Sequence, residues 1–435
     1  MIEILTILHT LPNVKSYRTL CFERILSKLR SKTDVHITWL VYQPERLNIE
    51  STIDEYSTIL DIHDFKNALD VVKQVKPDII WTAPLVNLPD YALSIAGKFM
   101  KIPVVGEVQN QLMKKTSNVE LLRAYSSGLF DNSIPTDMDD NNKAFMRRGK
   151  FFWFKFKFLI KTQSATKMNS FKIFMNALFV IKSIFSVRKE LYNARFAVDH
   201  HFVEVPRLID ILVKRGYERT SLTPTGIPMY DDIFDRLEKV KIKPRTDKKK
   251  HILLLTHAMS EHGIWTQKQK KFLVQGIVDE ISKHKDTMSL TVKIHPSSEV
   301  LSDYQNLIHE IDQDIIIHKN GDVMEFINNS DIIITYSGSS SLVYALVSQK
   351  PIIVCNFFNL ENDLFIEKKL VINCKNISSL MESINKASES NPATKEKVDS
   401  FLEEFFYKLD GLASERISNK LLDLLNKEKN NDIHE

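Results

Sequence analysis

Apolar positions in the first hundred residues follow two alternating rhythms. Short β-branched runs at Glu3–Leu8, Val35–Tyr42, Asp78–Thr82 and Ile102–Val105 are separated by longer stretches, Tyr17–Leu29 and Tyr91–Met100, with helical spacing. Strands buried on both faces read as near-continuous apolar runs, so the alternation predicts a parallel sheet covered by helices. The block KPDIIWTAP, a helix, and then KIPVVGE repeat the strand–helix–strand beat of a right-handed crossover. After the lysine-rich linker Lys239–Lys250 a second series begins, with strands at His251–Thr256, Ser289–His295, Ile315–His318, Asp331–Thr335, Pro351–Asn356 and Leu370–Asn373. Helical patterns at Gln267–Lys283 and Ser298–Ile311 separate some of them. Thr394–Lys427 is helical in period, with Phe401, Phe405, Leu409 and Leu412 on one stripe.

The fold class is therefore α/β, with two doubly wound Rossmann-like domains. The first covers 1–238 and carries an insertion at 143–195; the second covers 239–435 and includes the C-terminal helices. Such a pair predicts a cleft between the carboxyl ends of two strand sets, where open α/β sheets bind ligands.

The insertion changes the picture. Between 143 and 195, thirteen Lys and Arg residues face one acid, Glu190, and are interleaved with Phe151, Phe152, Trp153, Phe154, Phe156, Phe158, Phe171, Phe174, Phe179 and Phe185. Phe171, Phe174, Leu178, Ile181 and Phe185 fall on one helical stripe, which fits a basic amphipathic element lying on an anionic membrane or against a lipid carrier. A helical excursion with core aromatics and solvated lysines fits the same pattern. Nucleic acid is disfavoured, because no recognition module accompanies the segment and the chain of 435 residues carries a net charge of only +4. No window reaches the roughly 18 uncharged apolar residues of a membrane span. The start, MIEILTILHT, reads as a first strand and not as a leader. Cys21, Cys355 and Cys374 lie far apart and read as core thiols of a reducing cytoplasm.

Candidate chemistry gathers at strand ends. In SDIIITYSGSSSLVYALVSQKPIIV a strand ends at Thr335, and Ser337, Gly338, Ser339, Ser340 and Ser341 form a small-residue turn at a helix start. Its hydroxyls and unpaired amides suit a phosphate or diphosphate, while a capped helix without ligand is the plainer alternative. In VKIHPSSE a strand delivers His295 to its carboxyl end, where an imidazole can bond a phosphate or a developing leaving-group charge. LLLTHAMSEHGIW places Thr256 and His257 at another strand end, where the pair can contact phosphate or sugar and His257 can serve the leaving group beside His295, followed by Glu261 and His262. Those histidines lack metal-ligand spacing, so no metal site and no cofactor is expected. In the first domain Glu107, His200 and His201 are candidate general bases. The two histidines read equally well as one buried and one exposed position of a strand.

With these residues in view, the chain resembles the GT-B group of nucleotide-sugar enzymes, carried by TGIPMYDD near the domain junction, KIHP, and SDIIITYSGSSSLVYALVSQKPIIV. The likeness covers roughly 1–110 and 195–425. The HP dipeptide and serine turn are similar to those of capsule and teichoic-acid polymerising transferases, where they hold the nucleotide's phosphates; this implies that His295 and Ser337–Ser341 bind the donor diphosphate. An acid normally follows that turn to hold the ribose, and here Val343 and Tyr344 stand there. KPDII, KIPVVGE, THAMSEHG and HPSS also resemble the UDP-N-acetylglucosamine 2-epimerases, with Glu107 at a catalytic acid position. The epimerases' basic residues after the histidine are Ala258 and Met259 here, and their acid pair after the serine turn is absent. The resemblance thus implies a glycosyltransferase, or a close phosphate-linked transferase, moving its group from a nucleotide-sugar to a surface-polysaccharide or lipid-linked acceptor. It would act in the cytoplasm, or peripherally on the inner membrane face. An epimerase and a noncatalytic scaffold of this fold are the alternatives.

Overall fold

The computed structural model describes residues 1–8, 11–12, 17–43, 52–83, 87–108, 141–185, 198–214, 216–240, 247–261, 265–296, 299–336, 341–358 and 364–431. They form two compact units. The first holds the described residues up to Asp231 together with those from Phe406 onward; the second holds Asp232–Phe405.

The first unit is built on one sheet of β1 (Ile2–Leu8), β2 (Val35–Val41), β3 (Thr52–Asp54), β4 (Ser57–Asp61), β5 (Ile79–Thr82), β6 (Val104–Val108), β7 (His200–Val203) and β8 (Leu222–Pro224). Strand order is β3-β4-β2-β1-β5-β6-β7-β8, parallel except for the β3–β4 pair. The core strands carry the apolar runs of the sequence: β5, Ile-Ile-Trp-Thr, is buried at every position. On one face Leu5, Ile7 and Leu40 pack against helices Ala68–Val75, Leu88–Phe99 and Asn141–Ala165. On the other, Ile4, Leu8, Trp39 and Trp81 pack against Phe22, Ile25 and Leu29 of helix Tyr17–Arg30 and against Ile417, Leu421 and Leu425 of helix Ala413–Asn431.

Three differences from the sequence reading follow. The β3–β4 hairpin and the outer strands β7 and β8 mix polar residues into their short spans, Thr-Ile-Asp, Ser-Thr-Ile-Leu-Asp, His-His-Phe-Val and Leu-Thr-Pro, and so do not stand out as apolar runs. The C-terminal helical pattern is two helices, Lys395–Phe406 and Ala413–Asn431, interrupted where Tyr407 and Gly411 take positive φ (57° and 74°). Leu409 and Leu412 fall in that break, and Leu412 is exposed. The final helix, grouped by sequence with the second domain, packs on helix Tyr17–Arg30 of the first unit.

The two described helices of the insertion differ in burial. Phe151, Phe152, Phe156 and Phe158 of helix Asn141–Ala165 are core residues, and Thr162 accepts the Ala68 N–H at 2.9 Å. Lys155 is buried, its ammonium 4.5 Å from the Phe151 ring centroid and 5.8 Å from that of Tyr42. Helix Ser170–Phe185 instead exposes Phe171, Phe174, Met175, Leu178 and Phe179. Of its stripe residues Ile181 and Phe185, only the backbone is described.

The second unit has six parallel strands, β9 (Lys250–Leu255), β10 (Met288–Lys293), β11 (Ile316–His318), β12 (Ile332–Thr335), β13 (Ile352–Cys355) and β14 (Ile372–Cys374), ordered β11-β10-β9-β12-β13-β14. Order reverses between β9 and β12, the switch point at which doubly wound sheets hold ligands. Helix Gln267–Ser282 opens with a capping box: the Thr266 hydroxyl accepts the Gln269 N–H, and the Gln269 side chain accepts the Thr266 N–H. Gly276, in its middle, is explained by Ile377, whose Cδ1 would lie 1.9 Å from any added Cβ. Cys21, Cys355 and Cys374 are buried free thiols. This two-unit α/β architecture is that of the GT-B class.

Candidate functional site

In the second unit three motif segments converge at the β9/β12 switch point. The Thr335 hydroxyl donates to the Leu255 carbonyl at 3.0 Å, stitching the two strand ends together. β9 ends into Thr256 and His257, and β10 ends into His295. The His257 and His295 rings lie 6.1 Å apart at 80°. Both are half-buried, so each keeps a solvent-facing edge. Tyr336 follows β12 directly, buried against Trp265 at 5.0 Å between rings. Ser341 is the first residue of helix Ser341–Val347, while Ser337–Ser340 and His262 lie outside the described residues.

Beneath these segments lies a carboxylate that sequence inspection passed over. Glu299 is fully buried, and it accepts the Thr256 hydroxyl, the His295 backbone N–H at 2.6 Å and the Tyr304 hydroxyl at 2.5 Å. Burial pushes its pKa up, and its three donors pull the other way. Tyr304 stands 3.4 Å from the Tyr336 hydroxyl, and burial pushes both phenols well above their ordinary range. Lys270 packs 4.4 Å from the Tyr304 ring centroid and donates to Glu261 at 2.7 Å, so Glu261 is already engaged. Lys293 donates to the carbonyls of Ile294 and Lys319, and burial lowers its pKa. Where the ribose-binding acid of the resembled group would stand, Val343 is buried and Tyr344 lies 5.3 Å from the Arg236 guanidinium.

The first unit has its own polar cluster at its switch point, between β1 and β5. The Thr6 hydroxyl donates to the Trp81 carbonyl at 2.9 Å, the counterpart of the Thr335 stitch. Arg18 lies 3.6 Å from both Asp90 and Glu107 and donates to Thr6 at 3.2 Å. Asp90 is almost wholly buried and accepts the Ala83 N–H at 2.7 Å; burial raises its pKa, with Arg18 opposing. Glu107, at the carboxyl end of β6, keeps 16% of its side chain exposed.

His200 and His201 are not brought to this cluster. The β6–β7 register pairs Phe202 with Glu107, so both histidines enter earlier along the strand, and both are buried. The His200 Nε2 sits 2.8 Å from the Thr223 hydroxyl. Both ring nitrogens of His201 lack hydrogen-bond partners, and burial lowers its pKa to about 4. The expected split of one buried and one exposed histidine is thus replaced by two interior ones. Among the described residues, no group of three or more His, Cys, Asp or Glu is placed to hold a metal ion.

Comparison with known proteins bears on the fold and the family. Several solved structures share the fold at low identity. A variant of the wall teichoic acid polymerase TagF superposes with a TM-score of 0.53 at 13% identity, over 100% of this chain and 90% of the polymerase chain. The UDP-GlcNAc 2-epimerase of Neisseria meningitidis, solved with UDP-GlcNAc, gives 0.52 at 15% identity over 97% and 100%. That of Methanocaldococcus jannaschii, solved with UDP-GlcNAc and UDP, gives 0.52 at 15% over 97% and 99%. No curated protein matches the sequence. Residues 198–423, more than half of the chain, match one family model, and that span runs from β7 through the whole second sheet into the final helix. The chain therefore belongs to the CDP-glycerol:poly(glycerophosphate) glycerophosphotransferase family, and it is a transferase.

Proposed function

We propose that this protein transfers glycerophosphate from CDP-glycerol to a hydroxyl of a surface polymer or its lipid-linked precursor. The family match over 198–423 carries this reading, because it names the donor, the transferred group and the acceptor class together. The second unit binds the donor, with His257, His295 and the Ser337–Ser341 turn against its phosphates. The first unit binds the acceptor, with Glu107 as the base held by Arg18.

The chemistry then needs few groups. The acceptor oxygen bonds to the glycerol-bearing phosphorus, the bond from that phosphorus to the CMP oxygen breaks, and CMP leaves with the electron pair. The acceptor proton passes to the Glu107 carboxylate, while the two imidazoles hydrogen-bond the departing phosphate. Burial argues against His200 or His201 as the base, since both residues lie in the interior.

Helix Ser170–Phe185 supports a peripheral place on the inner, anionic membrane face. Residues 141–185 contain ten Lys or Arg and no acid, and the helix presents Phe171 and Phe174 at 69% and 58% exposure. No helix among the described residues is long and apolar enough to cross a membrane.

The test is CMP release from CDP-glycerol with and without a lipid-linked oligoglycerophosphate acceptor, beside thermal-shift measurements with CDP-, UDP- and GDP-linked compounds. Acceptor-dependent CMP release that Glu107→Gln abolishes is expected. Interconversion of UDP-GlcNAc without acceptor would establish the epimerase instead, and a protein stabilised by no nucleotide would be a scaffold.

A further inference from the structure

Donor pockets in doubly wound sheets are assembled from loops at several strand ends, and loops by themselves are mobile. Beyond the strand pairing, side chains hold three such ends in register here: Thr335 joins β12 to β9, the His295 N–H also reaches the Thr256 hydroxyl at 3.2 Å, and one carboxylate links all three. Glu299 takes the Thr256 hydroxyl from the end of β9 and the His295 N–H from the end of β10, and it reaches the end of β12 through Tyr304 and Tyr336. The oxygen that accepts the His295 N–H also accepts Thr256, so one atom ties the β9 turn that carries His257 to the β10 turn that carries His295.

The chemistry of the position argues for placement over mere filling. A buried carboxylate costs several kcal/mol to remove from water, a cost that filling space does not require and that the three donors around Glu299 offset here. Its partners are one N–H and two O–H groups, and a carboxylate is the one side chain with enough acceptor sites to take all three and no donor to disturb them. We propose that Glu299 is the positioning residue of the donor site: it fixes the spacing of the His257 and His295 turns without itself touching the donor. This deepens the donor reading given above and rests on it.

The proposal is tested by titrating CDP-glycerol into the wild type, Glu299→Ala, Glu299→Gln and Tyr304→Phe, with circular dichroism on each and acceptor KM measured alongside. Glu299→Ala is expected to weaken CDP-glycerol binding by about ten- to a hundredfold, the factor expected when one or two donor contacts lose their alignment. Acceptor KM is expected to stay unchanged. Glu299→Gln is expected to recover most of the loss, because its oxygen still serves Thr256 and His295 while its amide donates to the Tyr304 oxygen. Tyr304→Phe, which keeps the packing, is expected to weaken binding by a smaller factor, and it decides the matter if the alanine variant does not fold. Unchanged donor affinity in folded Glu299→Ala or Tyr304→Phe overturns the positioning role while leaving the donor reading intact. A wild type that binds no nucleotide removes both.

Discussion

His201 shows how far burial governs the fate of a chemistry-bearing side chain. Its ring touches Tyr217 edge-on at 5.2 Å and makes no hydrogen bond, so protonation would place an unpaired charge in the interior. With a folded pKa of about 4 against 6.5 in the unfolded chain, the unfolded state binds more protons between those values. Stability is therefore full above pH 6.5 and is lost as pH falls toward 4, by roughly 3 kcal/mol from this residue alone. Denaturant titrations at pH 7 and pH 4.5 should show His201→Leu losing markedly less stability than the wild type; equal losses would assign the acid lability elsewhere. The sequence marked His257 and His295 because each sits beside its own strand end. Arg18 escaped notice because Asp90 and Glu107 lie far from it in sequence, and Glu299, although four residues after His295, because only the fold shows that it is buried and meets Thr256.

Helices raise a different problem, because one amphipathic pattern serves a core and a membrane equally well. Helix Asn141–Ala165 and helix Ser170–Phe185 share a basic, aromatic composition, yet the first buries Phe151, Phe156 and Phe158 while the second exposes Phe171, Phe174 and Leu178. Period alone could not separate them; what separates them is the sheet face of Leu5, Ile7 and Leu40, which accommodates the first. Each phenylalanine of the second helix gains about 1.5–3 kcal/mol on full burial, and each nearby lysine about 1 kcal/mol at an anionic surface. Phe171→Ser combined with Phe174→Ser should lower cosedimentation with phosphatidylglycerol vesicles by more than about tenfold. Half-molar salt should weaken it further, whereas neutral phosphatidylcholine vesicles should bind poorly throughout. Binding insensitive to the double change would mean that another surface makes the attachment. The exposed Lys150, Lys157 and Lys161 make the complementary set for charge removal, while Lys155 belongs to the core.

At the scale of the whole molecule, the chain leaves its first unit after Asp231 and returns to it at Phe406. The central strands of the first sheet and all six of the second were legible from apolar runs, because strands buried on two faces are apolar nearly throughout. The destination of the last helix was not, since its stripe of Ile417, Leu421 and Leu425 would suit either sheet. The structure resolves the choice with polar contacts at its start: the Asp231 carboxylate accepts the N–H groups of Ala413 and Ser414 at 2.9 and 2.8 Å, and Arg416 donates to the Thr225 carbonyl at 2.8 Å. An acid at a helix N-terminus is favourable by about 0.3–1 kcal/mol, and here it comes from the TGIPMYDD segment almost two hundred residues earlier. Together with three buried apolar side chains at about 1.5–3 kcal/mol each, the helix contributes an amount comparable to the whole stability of an ordinary domain. A chain ending at Phe406 should therefore lose the unfolding transition of the first unit while keeping that of the second, whose sheet and core lie entirely within Asp232–Phe405. Calorimetry of the truncated and full chains reads this directly, and limited proteolysis should leave a protected fragment beginning near Asp232. A truncated protein melting as the full chain does would show that the last helix adds little to the first unit.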